Sequence, residues 1–262
     1  MAACSPFAPV TPVCHSRGAG PREQQLVLSI EGNIGIGKST LLGRLRKRFA
    51  LDPDVVFVDE PVDLWESSGL LEAMYSGTID KCSFQQMAVI TRFAALKKAI
   101  ETGAKLIITE RSIHTDRECF AKVGITTPSE AAAYAVTHDS LNQTLPRNLR
   151  MAAILLEAPL DVISKRIRMR GRSAEQADDE EEGGVVDGYL EQLQQAHVAY
   201  FASLCEGEKL CVDATRSPDM VEASVFAAIS QFRAGALSPS SVLGNAHANN
   251  NSSVVAMDIA AY

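Results

Sequence analysis

The sequence has no cysteine pair spaced CxxC, and no cysteines and histidines at zinc-ligand intervals, although six cysteines are present (Cys4, Cys14, Cys82, Cys119, Cys205 and Cys211). A structural zinc site is therefore not expected, and the cysteines read as free thiols of a reducing compartment. The sequons near Asn250 and Asn251 then carry no weight, since glycosylation requires secretion. No apolar run approaches the roughly 20 residues that cross a bilayer, so no membrane partner is expected. Positive charge is in deficit: the formal net charge is −7. That excludes a general affinity for nucleic acid, whose phosphates demand the opposite sign. What is present is an ordinary balance of 46% hydrophobic and 22% charged residues over 262 positions, enough for one α/β domain.

Residues 1–25 are rich in Pro, Ala, Ser and Gly, lack an apolar signal core, and read as a disordered tail. An excess of arginine over acid leaves organelle import open as the alternative to a cytoplasmic location. From residue 234 onward the chain is again too poor in large apolar residues to pack, and reads as a second tail. Between the tails, residues 26–233 alternate short β-rich runs with helical patterns. Strands are expected at 26–31, 55–59, 105–109, 153–157 and 210–213. Helices are expected at 37–49, 84–101, 113–123, 128–142, 160–170, 187–205 and 218–232. Near-continuous apolar strands separated by helices predict a five-stranded parallel sheet covered on both faces, in three layers. Ligands of such sheets gather at the carboxyl ends of the strands.

The first strand runs into "EGNIGIGKST". Gly32, Asn33, Ile34, Gly35, Ile36, Gly37, Lys38 and Ser39 fit GxxxxGK[ST] without a gap, and Thr40 follows. The glycines let successive backbone N–H groups turn inward around an anion, and the helix that follows adds its positive end. Lys38 is placed for β- and γ-phosphates and Ser39 for a magnesium ion, so a bound nucleoside triphosphate is expected. No NKxD guanine-reading motif and no ABC-type signature accompanies the loop. Instead Glu60 lies after the second strand in "DEPVDLW", placed to take a proton from an attacking hydroxyl. Glu110 and Arg111 close the third strand in "LIITERS", an acid for metal and a cation for phosphoryl charge.

On the helix that includes Phe84, residues Gln85, Ala88 and Arg92 share one stripe; on the next, Asp116 and Phe120 are i, i+4. An amide, a guanidinium, a carboxylate and a ring in one cavity suit a nucleobase. Asp116 can accept from an exocyclic amino group and Arg92 can donate to ring nitrogens or a carbonyl. Thymine offers no amino group there, and its methyl needs the space of Arg92. A base with an amino group at that edge is therefore expected over thymine.

The segments "IEGNIGIGKST", "EPVDLW", "FQQMAVITR", "ERSIHTDRECF" and "RIRMRGRSAEQ" resemble, in order and spacing, the deoxyribonucleoside kinases, and most of all their deoxycytidine/deoxyguanosine kinase branch. The resemblance runs from about Leu26 to Asp213 and implies the P-loop kinase fold with an arginine-rich lid at about 166–187. It also implies a homodimer, and transfer of the γ-phosphate of ATP to the 5′-hydroxyl of a deoxyribonucleoside with Mg2+, deoxycytidine and/or deoxypurines being expected over thymidine. It assigns Glu60 as the base on that hydroxyl, Arg111 to orient and compensate the centre, and Gln85 and Phe120 to read and stack the base. Arg92 with Asp116 would hold its exocyclic group, Trp65 would wall the pocket, and Tyr75 and Glu175 would hold the 3′-hydroxyl. The loop at 213–218 would hold the donor base, with UTP or GTP as alternative donors.

In the lid, Arg166, Arg170 and Arg172 read as a clamp on the transferring phosphoryl, working with Lys38. Here the sequence departs from the family. The usual RxRxEE is "RGRSAE", with Ala174 in place of the first glutamate, and an acidic insertion at 177–186 follows. Two other readings stand beside the kinase: a nucleoside monophosphate kinase on the same fold, and a nucleotide-binding subunit without turnover.

Overall fold

The computed structural model describes residues 24–170 and 185–235; Arg172, Glu175, the acidic insertion through residue 184 and both tails up to 23 and from 236 lie outside them. Gln25, read as tail, belongs to the folded part: its side-chain amide donates to Ile100 O and Ala104 O.

Five strands, β1 (Leu26–Glu31), β2 (Val55–Val58), β3 (Leu106–Glu110), β4 (Arg150–Glu157) and β5 (Lys209–Asp213), form one sheet in the order β2-β3-β1-β4-β5. Every pairing is parallel, with Ile30 opposite Glu110 on one side and Ile154 on the other. All six residues of β1 are buried, as the central strand of a sheet covered on both faces requires.

On one face, Leu28, Ile30, Ile108 and Ile154 pack with Leu42 and Leu45 of α1 (Lys38–Arg48) and with Ile229 and Phe232 of the C-terminal helix Pro218–Arg233. On the other, Val27 and Ile107 meet Leu96 and Ala99 of the helix Lys81–Glu101, and Ala153 and Leu155 meet Phe201 of the helix Val185–Ser203.

In chain order the remaining helices are α2 (Val62–Ser67), α3 (Leu70–Tyr75), α4 (Lys81–Glu101), α5 (the helical segment 113–124), α6 (Pro128–Gln143), α7 (Leu160–Arg170), α8 (Val185–Ser203) and α9 (Pro218–Arg233). Their starts are chemically marked. Asp80, Thr127 and Ser217 accept from the backbone N–H three residues on, and Pro128 and Pro218 occupy the first turns that follow.

Two features differ from the pattern reading. The stretch after Glu60 folds into α2 and α3, helices of six residues too short to show a period. And α5 is interrupted at Asp116–Ala121 by a π-helical turn, so its side chains do not follow the i, i+4 spacing of a regular helix. No helix among the described residues is long and apolar enough to cross a membrane.

Candidate active site

The carboxyl ends of β1, β2 and β3 open into a cavity of roughly 560 Å³. Two groups of residues line it: the phosphate loop with Lys38, Ser39 and Thr40, and an apolar set from α2, α3 and α4. Glu60, Arg111, Arg92 and Asp116 line the same space.

Close approach explains two of the loop's three glycines. A Cβ on Gly32 (φ 133°) would stand 2.7 Å from Leu156 O, and one on Gly35 (φ 76°) would stand 2.5 Å from Ile167 Cγ1. Asn33 serves the scaffold: its Oδ1 accepts from Ile34 N at 2.8 Å, and its Nδ2 donates to Leu190 O at 2.9 Å and to Gln194 Oε1 on α8. Lys38 folds back to donate to Gly32 O (3.1 Å) and Asn33 O (2.9 Å). Burial, then the charge of Arg111, lowers its amine to about 7. Ser39 Oγ donates to Glu110 Oε1 at 3.0 Å, so the hydroxyl and carboxylate expected at a metal lie together.

Arg92, 4% exposed, is held from three sides. Nε donates to Asp116 Oδ2, Nη1 to Glu110 O and Nη2 to Glu60 Oε1, each at 2.8 Å. Arg111 adds a second cation, its Nε 3.3 Å from Glu60 Oε1. Burial opposes ionisation of Glu60, but Arg111, Arg92 and Lys38 outweigh it and hold the carboxyl at about 2. Asp116 goes the other way. Its burial outweighs the attraction of Arg92 and lifts it to about 6.

The apolar part contains Trp65, whose Nε1 donates to Thr91 Oγ1 at 3.1 Å and whose ring meets Phe84 edge-on, centroids 5.5 Å apart. Phe84, Gln85 and Ala88 on α4, Tyr75 at the end of α3 and Phe120 in the π turn line the cavity beside it. Tyr75 and Gln85, on either side of the turn between α3 and α4, both line this space.

Arg166 lines the cavity, and its guanidinium also engages two backbone carbonyls. Its Nη1 donates to Ile36 O at 2.9 Å and its Nη2 to Ala214 O at 2.8 Å, so it ties α7 to the phosphate loop and to the loop after β5. Arg170 lines the cavity. Tyr189, Met74, Val62 and Arg44, which no sequence motif marks, also line it, as does Arg216 of the 213–218 loop expected at the donor base. Tyr189, its hydroxyl pushed by burial to about 12, carried one signal: a ring just beyond the lid, before the apolar stripe of α8 resumes.

A sequence model described as deoxynucleoside kinase matches residues 28–232. The chain is 30% identical over 199 residues to deoxycytidine kinase 1 of Xenopus laevis, covering 65% of this chain and 71% of that protein. It is 29% identical over 203 residues to the thymidine kinase of Ictalurid herpesvirus 1, covering 75% and 82%. Among solved structures, a deoxyadenosine kinase from M. mycoides superposes with a TM-score of 0.61 at 21% identity, over 78% of this chain and 99% of that one; this last likeness is one of fold.

Proposed function

The chain belongs to the deoxynucleoside kinase family, whose members are phosphotransferases with an alcohol acceptor, and from that premise we propose a specific reaction: transfer of the γ-phosphate of ATP to the 5′-hydroxyl of deoxycytidine or a purine deoxynucleoside, in preference to thymidine. One observation carries this reading. Glu60 Oε1 lies within 3.3 Å of both Arg92 and Arg111, in a cavity that takes in both the phosphate loop and the aromatic residues. Glu60 is the group that receives the proton of the alcohol. Its two arginines keep it ionised, and Arg111 orients it and stabilises charge as the phosphoryl group moves.

The base end is read through Asp116 and Arg92. An amino group at the exocyclic position gives Asp116 a second donor beside Arg92 Nε; thymine supplies none and crowds Arg92. Relatives of both kinds exist, a deoxycytidine kinase and a thymidine kinase at similar identity, so the preference rests on these two side chains rather than on kinship. Gln85, Phe120, Trp65, Phe84, Ala88 and Tyr75 complete the acceptor pocket, and Glu175 with Tyr75 is the proposed 3′-hydroxyl pair.

Ser39 and Glu110 offer hard oxygen donors 3.0 Å apart, which suits Mg2+, an ion usually held by one or two carboxylates together with water and phosphate. Among the described residues no cluster of three or more His, Cys, Asp or Glu could hold a metal, so the ion would arrive with the triphosphate. When bound, Mg2+ neutralises β- and γ-phosphate charge. The proposed assembly is a homodimer, supported by the exposed apolar Ile90 on α4 and Val136 on α6, two helices that pack against each other.

The test is product formation from each of the four deoxynucleosides with ATP and Mg2+, beside the corresponding monophosphates as acceptors. Phosphorylation of thymidine above the other three would overturn the base assignment, and preference for a monophosphate would overturn the reaction.

A further inference from the structure

On α8, Leu190, Leu193, Gln194 and His197 recur at i, i+3, i+4 and i+7 and form one stripe. Its first members hold the phosphate loop through Asn33. Its last holds a different residue: Arg111 Nη1 lies 3.2 Å from His197 Nε2. One tautomer permits this contact. His197 Nδ1 is 2.7 Å from Leu193 O, and a carbonyl only accepts. Nδ1 therefore carries the proton, and Nε2 offers its lone pair to Arg111. Burial, then the charge of Arg111, lowers the ring to about 3, so it is neutral under working conditions.

Arg111 needs such a partner. Among the described residues it is the one non-glycine with positive φ, 63°, a strained backbone that persists only where its surroundings hold it. Nη1 also donates to Gly32 O at 2.8 Å. The guanidinium carbon lies 4.6 Å from the Phe120 ring centroid, and Phe120 meets the His197 ring edge-on. These contacts leave Nε 3.3 Å from Glu60 Oε1, close enough for an ion pair but making no hydrogen bond among the described residues.

We propose that His197 is a positioning residue of phosphoryl transfer, a neutral acceptor that fixes the Arg111 guanidinium so that Nε faces Glu60 and the attacking alcohol. The proposal rests on the kinase reading above. His197 is 3% exposed and does not line the cavity, so it acts through Arg111 alone.

Two substitutions separate this role from packing. His197→Leu keeps apolar bulk and removes the acceptor; His197→Gln returns an amide oxygen near the position of Nε2. The expected result is a kcat lower by about 10²-fold in His197→Leu, the scale of a misplaced catalytic group. KM for the deoxynucleoside should change little, and His197→Gln should recover much of the loss. In an Arg111→Lys background, His197→Leu should add little further loss. A packing role reverses the order, with Leu at least as active as Gln and the same loss in both backgrounds; that result overturns the proposal.

Should His197→Leu fail to fold, the unsubstituted chain decides. Its 15N-labelled histidines should show one ring held as the Nδ1–H tautomer, without titration, between about pH 5.5 and 8. Assignment of His197 to the other tautomer, or to a titrating ring, overturns the proposal. Absence of kinase activity in the unsubstituted chain would count against the reaction, whereas the nitrogen spectrum reads the His197–Arg111 contact independently.

Discussion

The guanidinium of Arg92 touches Glu60 through Nη2 at 2.8 Å while Nε, at the same distance, holds Asp116. One buried cation thus neutralises the proposed base and the proposed reader of the nucleobase together. Removing it strands the buried Asp116 fully and Glu60 in part, since Arg111 stays beside Glu60. Arg92→Met should cost on the order of 3–5 kcal/mol of stability, the usual result of breaking a buried pair. Arg92→Met with Asp116→Ala should cost less than Arg92→Met alone, because one of the stranded charges is gone. The double variant should also gain thymidine phosphorylation relative to deoxycytidine. Denaturant melts of the three proteins and kcat/KM on both nucleosides check this. A double variant less stable than the single one would refute the shared-cation argument.

Glu60→Gln keeps shape and hydrogen bonding but cannot take a proton. General-base loss is expected to lower kcat by roughly 10²–10⁴-fold. ATP affinity should be little changed, since the phosphate loop is untouched. Single-turnover kinetics with equilibrium nucleotide titration make the comparison, and near-normal kcat would remove Glu60 from the role.

The sheet was legible because each strand is a short apolar run between helical patterns, and β1, buried throughout, is the plainest case. The phosphate loop was legible because its spacing is dictated by backbone sterics. The grouping of Gln85, Ala88 and Arg92 followed from regular helix geometry on α4. What stayed hidden depended on tertiary contact. The i, i+4 argument for Asp116 and Phe120 does not describe the π turn on which both sit. His197 looks like a lone histidine on an apolar stripe, and only its approach to Arg111 distinguishes it. Arg166 has the charge of a phosphoryl clamp and lines the cavity, but the carbonyls of Ile36 and Ala214 that also engage it come from two distant loops and leave no trace in its spacing.

Asp116 should impose an acid limb on base recognition. With its carboxyl lifted to about 6, protonation below that pH removes the acceptor that an exocyclic amino group needs. The kcat/KM for deoxycytidine should therefore fall relative to that for thymidine as pH drops from 7.5 toward 5.5, and Asp116→Asn should show no such limb. The stability sign follows from the same shift. The folded value exceeds the unfolded one, so ionised Asp116 costs stability above about pH 6, and the cost is relieved as pH falls toward its ordinary range. Glu60 opposes it: held at about 2, it stabilises above its ordinary value of 4.5, and that contribution is lost as pH falls through the folded one. A ratio of the two kcat/KM values independent of pH would refute the assignment.

Ser39 and Glu110 make a different demand. If they share a magnesium ion, Ser39→Ala should raise the Mg2+ concentration needed for half-maximal rate while leaving metal-free ADP binding nearly unchanged. A magnesium titration of initial rate, beside calorimetric titration of ADP in chelator, separates the two, and an unchanged magnesium requirement would place the ion elsewhere.

Gly35 and Gly103 permit a clean comparison of backbone and packing. Their φ angles are nearly equal, 76° and 78°, so alanine strains the backbone alike at both, by roughly 1–2 kcal/mol. Around Gly103, at the end of α4, an added Cβ meets nothing within 4 Å; around Gly35 it stands 2.5 Å from Ile167 Cγ1 and 3.4 Å from Ile163 O. Ile163 is fully buried and Ile167 nearly so, both in the core that joins α7 to the sheet, so α7 must shift or the loop must open. Gly35→Ala should thus lose a further 1–3 kcal/mol or so, the usual cost of overpacking, and KM for ATP should rise because α7 carries Arg166 and Arg170 against the phosphate loop. Gly103→Ala should lower the melting temperature by the backbone cost alone, with KM for ATP unaltered. Equal losses at the two positions would mean that backbone conformation, rather than the approach of Ile167, is what requires glycine in the loop.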